Sequence, residues 1–261
     1  PCQTLVAESL QISQPVPTRA HTDAVLRNRL LRLRANPGPL TVEYRAEVDI
    51  AHHVERPENI AELPIAALPV EVLPYLYPSR YCESDKLQLL ANQQFGHLPR
   101  GYWRVEAIRR WVHERTRFAS GSSTFSTSAV DTLQQAEGVC RDFAHVMIAL
   151  CRALNIPARF SSGLDYGADP ILGPTDFHAY VEVYLGHRWY LFDPSGTAMP
   201  MGFLRIGTGR AAADISFATN FGAIRSEVPV LSIEATDDPA GGFILPYHCP
   251  EALSTDAPAP P

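Results

Sequence analysis

The chain has 261 residues, 46% of them hydrophobic and 19% charged, which is enough apolar material for at least one full core and too much for a disordered polymer. Its formal net charge is −6, and no basic block interleaved with aromatic residues is present, which argues against a nucleic-acid groove. Lys86 is the only lysine and follows no glycine-rich loop, so Schiff-base and phosphate-loop chemistry are excluded unless that residue serves.

No apolar run approaches the roughly 18 residues of a membrane span, and PCQTLVAESLQ lacks the order of a signal peptide. The expectation is a cytoplasmic protein with no membrane or nucleic-acid partner. The chain opens on Pro1 and not on Met, so its first residues carry little information. Five cysteines, Cys2, Cys82, Cys140, Cys151 and Cys249, form an odd set with no CxxC pair, which speaks against a disulfide framework or a structural zinc site. It leaves room for one of them to be a reagent.

From Leu26 to Ile50, apolar and polar residues alternate on both sides of Asn36-Pro37-Gly38-Pro39, predicting a β hairpin or sheet layer. Five prolines between residues 55 and 79 predict an extended linker. The expected organisation is an N-terminal β region over 1–72, a core over 73–236 and a C-terminal tail over 237–261. Ser84 is a candidate N-cap for a helix through about Phe95, stopped by Gly96. A second helix is predicted from about Trp103 to Arg117, with Val105, Ile108 and Val112 inward. Residues 118–131 read as a polar loop of small residues. Phe143, Met147, Ile148, Cys151 and Leu154 then recur at helical spacing until Asn155 and Pro157, so Cys140 opens a buried helix. ARFSSGL, HAYVEVYL and HRWYLFD follow as short β-type runs.

Cys140 stands where a helix presents free N–H groups and positive partial charge, a setting expected to lower a thiol's pKa from about 8.5 and keep it reactive at mildly acidic pH. Cys151 lies three turns further on, in the apolar stripe, and is assigned to the core. A nucleophilic thiolate needs a base, and the base needs a group that holds its tautomer. His145 is turned some 140° from Cys140 around the helix and cannot serve. His178 opens HAYVEVYL and Asp193 closes HRWYLFD. A two-residue turn at Leu185 and Gly186 would set them directly opposite at the open end of a hairpin. The backbone N–H of Cys140 is one oxyanion donor by position. Gln134 is a candidate for a second, with a surface residue of a short helix as the alternative. Trp111, Trp189 and Tyr180 are candidates for cleft walls or for core.

The strings GVCRDFAHVMIALCRALNIPAR and DFHAYVEVYLGHRWYLFDPSG, with PSRYCESD and the β region before them, resemble bacterial members of the transglutaminase-like superfamily, often described as cysteine proteases. The resemblance covers roughly residues 23 to 225. It implies an α+β, papain-like fold, with Cys140 at a helix N-terminus packed on an antiparallel sheet that carries His178 and Asp193, matching the family's Cys, His and Asp.

Three functions follow in order of expectation: a peptidase or amidase that resolves a thioester with water, a protein-glutamine acyltransferase that resolves it with an amine, and a non-catalytic binding module. The expected partner is a peptide or protein carrying a carboxamide or peptide carbonyl. No cofactor is expected. Asp165, Asp169 and Asp176 lack the spacing of a calcium loop. Zinc held by Cys140, His145, Cys151 and His178 would need ligands from different faces of one helix.

Overall fold

Helix α4 (Cys140–Ala153) is hidden on every side, with each residue from Asp142 to Ala153 buried. A helix without a solvent face needs neighbours all round. Helices α1 (Gln88–Phe95), α2 (Tyr102–Arg115) and α3 (Ala129–Gln135) supply part of that jacket, and strands β8 (Ala158–Asp165) and β9 (His178–Leu185) the rest. With β10 (Arg188–Phe192) and β11 (Phe203–Gly209) these strands make one antiparallel sheet in the order β10-β9-β8-β11. This computed structural model describes residues 3–167, 176–236, 242, 244–254 and 256. Cys2, Asp169 and much of the 237–261 segment lie outside them. Among the described residues no helix is long and apolar enough to cross a membrane.

Each predicted helix forms near its expected place. Val105, Ile108 and Val112 face inward on α2 as the periodicity requires. Helix α1 ends at Gly96 but starts at Gln88, because Ser84 is itself buried in the turn that precedes it. The 118–131 stretch is not all loop. Ser128 caps α3, accepting from Asp131 N–H while the Asp131 carboxylate accepts from Ser128 N–H, a reciprocal box that ends the loop.

The N-terminal strands are arranged differently from the expectation. Strands β3 (Arg29–Leu33) and β4 (Val42–Ile50) do not pair across the Pro-Gly breaker. Instead β4 pairs with β1 (Gln3–Ile12), and β3 with β2 (Thr18–Thr22), giving two separate antiparallel ribbons. The residues left unread at the chain's start therefore form its longest strand. Two side-chain amides dock the ribbons on β11: Gln3 bonds both the N–H and the carbonyl of Arg205, and Asn28 those of Thr208. An edge strand that would otherwise offer bare backbone groups is thus partly covered.

The proline-rich stretch is also more than a linker. It folds into short 3-10 helices, and Leu68, Val72 and Tyr75 pack against Tyr184 and Trp189 of the sheet. Prolines block regular helix and sheet but leave side chains free to bury. Two further short pairings complete the fold. Strand β5 (His53–Glu55) meets β12 (Ala252–Ser254), and β6 (Arg117–Phe118) meets β7 (Glu137–Gly138) in parallel.

Candidate active site

The chain runs extended through Val139 and turns helical at Cys140, so the thiol sits on the first turn of α4. Asp142 fixes that start. Its fully buried carboxylate accepts from Val139 N–H at 2.9 Å and from Ser123 Oγ at 2.9 Å, and it also pairs with Arg141. An anion in the first turn already complements the helix's positive end. Cys140 keeps some solvent contact, but its sulfur is crowded by protein. That burial, with the Asp193 and Asp142 carboxylates, pushes the thiol up to about 12, against hydrogen bonds from the N–H groups of Ala179 and Arg141. The lowered thiol pKa expected from the helix terminus is therefore corrected: Asp142 offsets the helix end, and burial disfavours the anion.

The Ala179 N–H places the thiol beside the residue that follows His178. Strand β9 turns into β10 through Gly186 and His187, at φ +52° and +67°, the left-handed pair of a type I′ turn. Leu185 therefore pairs with Arg188, two positions away from the register expected for a turn at Leu185 and Gly186. Continued to the open end, this register sets Asp193 across from Tyr180 and diagonal to His178. A slip of two preserves the face on which each side chain projects, whereas a slip of one would reverse it. The contact survives, with His178 Nε2 and Asp193 Oδ1 3.3 Å apart.

Asp193 is held from several directions. Its Oδ1 accepts from Ser195 N–H (2.9 Å) and Oγ (2.6 Å), and its Oδ2 from Ala198 N–H (3.0 Å). Burial alone would raise this carboxyl, but His178, Ser195 and Ala198 hold it down at about 2. Helix α2 fixes the turn behind it: Arg109 donates to the Asp193 carbonyl, and His113 Nδ1 lies 3.0 Å from the Ser195 carbonyl. Gly196 sits at φ +69°, where a Cβ would stand 2.8 Å from the His113 ring, so glycine is required. Burial pulls His178 down, but Asp193, joined by Asp165 and Asp176, carries it above its ordinary value. A buried ionised carboxylate aimed at an imidazole, with a thiol beside the next backbone N–H, has the parts for nucleophilic acyl transfer.

The other sequence candidates lie elsewhere. Gln134 is exposed on α3, as its surface alternative has it. His145 and Cys151 are fully buried within α4, with His145 stacked on Tyr81 and Nε2 accepting from Ala212 N–H. Trp189 packs with Tyr75 and Tyr184, Trp111 packs with Phe95, and Tyr180 is buried beneath His178. Sequence reasoning missed Ser195, Ala198 and Asp142. Of these, Ser195 carried a signal, since a serine two residues after an aspartate commonly bonds back to it.

A family model described as the transglutaminase-like superfamily matches residues 89–194, a span that holds Cys140, His178 and Asp193. The crystal structure of "a putative cysteine protease" from Cytophaga hutchinsonii superposes with a TM-score of 0.87 at 36% identity, covering 98% of this chain and 88% of that one. The chain belongs to the transglutaminase-like superfamily. Its α+β, papain-like core and small N-terminal strand region agree with the fold expected of a transglutaminase-like protein. Uncharacterised proteins of Mycobacterium leprae and Mycobacterium bovis are similar at 31% and 30% identity, over 43% and 49% of this chain. The matched region is 42% and 44% of those relatives, less than half their length.

Proposed function

We propose that the protein is a cysteine hydrolase, a peptidase or amidase, in which Cys140 is the nucleophile, His178 the base and acid, and Asp193 the residue that orients His178. The observation that carries this reading is the His178–Asp193 contact of 3.3 Å at the end of the hairpin, with the adjacent Ala179 N–H on the Cys140 thiol. The buried thiol is pushed up and keeps its proton until it reacts, so the step uses His178 in its neutral form as the acceptor. The proton moves from Sγ to His178 as sulfur attacks, an Sγ–C bond forms, and the carbonyl π pair passes to oxygen. The first-turn N–H of Cys140, which helix geometry leaves without an intrahelical partner, faces that oxyanion. Collapse breaks the C–N bond, and His178 gives its proton to the leaving amine. Water then attacks the thioester, His178 takes its proton, and the Sγ–C bond breaks to restore the thiol. Asp193 remains ionised throughout and stabilises the imidazolium.

Water, at about 55 M, resolves a thioester unless the site excludes it and selects an amine. Intact-mass measurement on a panel of glutamine-containing peptides, with and without a primary amine, tests the proposal. Cleavage or deamidation in both arms is expected. Incorporation of the amine would replace hydrolysis with transfer, and no product in either arm would overturn the enzymatic reading.

A further inference from the structure

Asp165 ends β8, next to the strand that opens with His178, and is only 8% exposed. The β8–β9 register pairs Gly163 with His178 and Ser161 with Tyr180. Opposite residues, and residues two apart, share a face, so Asp165, His178 and Tyr180 project to the same side. Gly163 cannot carry a side chain between them, since a Cβ there would stand 1.9 Å from the Leu204 carbonyl oxygen. Tyr180 fills the space. Its hydroxyl donates to Asp165 Oδ1 at 2.6 Å, and its ring meets the His178 imidazole edge to face at 4.8 Å. Phe203 backs that fully buried ring at 4.2 Å.

A buried carboxylate is ordinarily paired with a cation. Among the described residues, the titratable groups that bear on Asp165 are instead Tyr180, Asp193 and His178, of which only His178 can become positive. We propose that Asp165, acting through Tyr180, is a second positioning residue for His178, setting the plane of the imidazole and adding negative charge that favours the imidazolium. The proposal rests on the reading of His178 as the catalytic base. His178 is faced by Asp193 and Ser195 beyond β10, by Tyr180 on its own strand, by Asp165 on β8 and by Asp176 just upstream, while the Cys140 thiol at the start of α4 sits on the N–H of the adjoining Ala179. Burial is the main influence on Asp165 and raises it to about 6, so it is ionised above that pH and neutral below. As pH falls through 6, Asp165 withdraws its charge while His178 is still supported by Asp193. The two groups titrate as a coupled pair.

The test is an NMR titration of the full chain with labelled imidazoles, the His178 resonance being assigned by its absence in His178→Gln. In the parent protein the His178 curve should carry a second inflection near pH 6. Asp165→Asn keeps the side-chain shape and an acceptor for Tyr180, and should remove that inflection and lower the His178 midpoint by roughly one pH unit. Tyr180→Phe removes the donor that stabilises ionised Asp165 and should move the inflection to higher pH. It also serves if Asp165→Asn does not fold. A His178 curve unchanged in the folded variants would overturn the proposal. Failure of the underlying reading registers elsewhere, as undiminished peptide hydrolysis by Cys140→Ala, which leaves the effect of Asp165 on His178 measurable by itself.

Discussion

Asp193 Oδ1 and His178 Nε2 meet at 3.3 Å along a diagonal of the β9–β10 hairpin, one pleat away from the rung they would share as direct partners. The diagonal explains why the carboxylate needs so much support. A directly opposed pair is aligned by the ladder itself, whereas here Ser195, Ala198 and the clamp from α2 set the angle.

Cys140→Ala should lower turnover by about 10⁴-fold or more while changing stability by no more than about 1 kcal/mol, since the residue opens α4 outside its apolar stripe. Peptide mapping after brief iodoacetamide treatment should find Cys140 labelled before the fully buried Cys82 and Cys151. Earlier labelling of either buried thiol, or an active alanine variant, would remove Cys140 from the mechanism.

His178→Ala should cost nearly as much rate as losing the thiol, and Asp193→Asn about 10³- to 10⁴-fold by leaving the imidazole in the wrong tautomer. Members of one catalytic unit do not add. Steady-state rates of the double variant of Cys140 and His178 should match the worse single variant; a multiplicative loss would show that the two act separately.

The alkylation rate of Cys140 should climb from pH 6 to 10 without an acidic plateau. Its thiol is pushed up to about 12, so the thiolate fraction grows tenfold per pH unit over that range. A plateau at mildly acidic pH would mean a preformed thiolate–imidazolium pair and would contradict the burial argument.

Acid should unfold the protein in two overlapping windows, measured as urea midpoints against pH. Burial lowers His145 to about 3, so the fold favours its neutral form; that stability is full above about 6.5 and drains as pH falls toward 3. Asp193, held at about 2 against an unfolded value near 3.9, contributes on the order of 2 kcal/mol above pH 4 that is lost as pH falls through 2. His145→Phe should flatten the first slope and Asp193→Asn the second. Slopes unchanged by these substitutions would assign the acid lability to other groups.

The parts of the site written in local pattern were legible. Helix α4 announces itself by periodicity, and the β runs bring His178 and Asp193 to one end because their separation has the right parity for a tight hairpin. The turn position was not legible, because His187 adopts a left-handed conformation that the Leu-Gly-His text does not demand, although His is among the residues that tolerate it. Nor was the anchoring of Asp142, whose carboxylate meets Ser123 only once the chain has folded back. The pairing of β1 with β4 was hidden for a different reason. Both strands expose most of their residues, so no buried face imposed a pattern from which register could be read.

The pairing of β5 with β12 has a consequence for how the protein is made. Val54 leaves the ribosome long before its partner Leu253 has been synthesised, and Ala252, with no exposure at all, belongs to the main core. Asp256 arrives later still to join Arg159 and Arg205, which until then share the buried Glu182. For most of translation the nascent chain therefore holds a vacant strand position beside β5, and once Arg205 is made, two guanidinium groups share the single carboxylate of Glu182 until Asp256 follows, the kind of non-local closure that comes late and leaves a chain prone to mispairing. Its correct maturation depends on keeping neighbouring nascent chains away from that gap until β12 fills it.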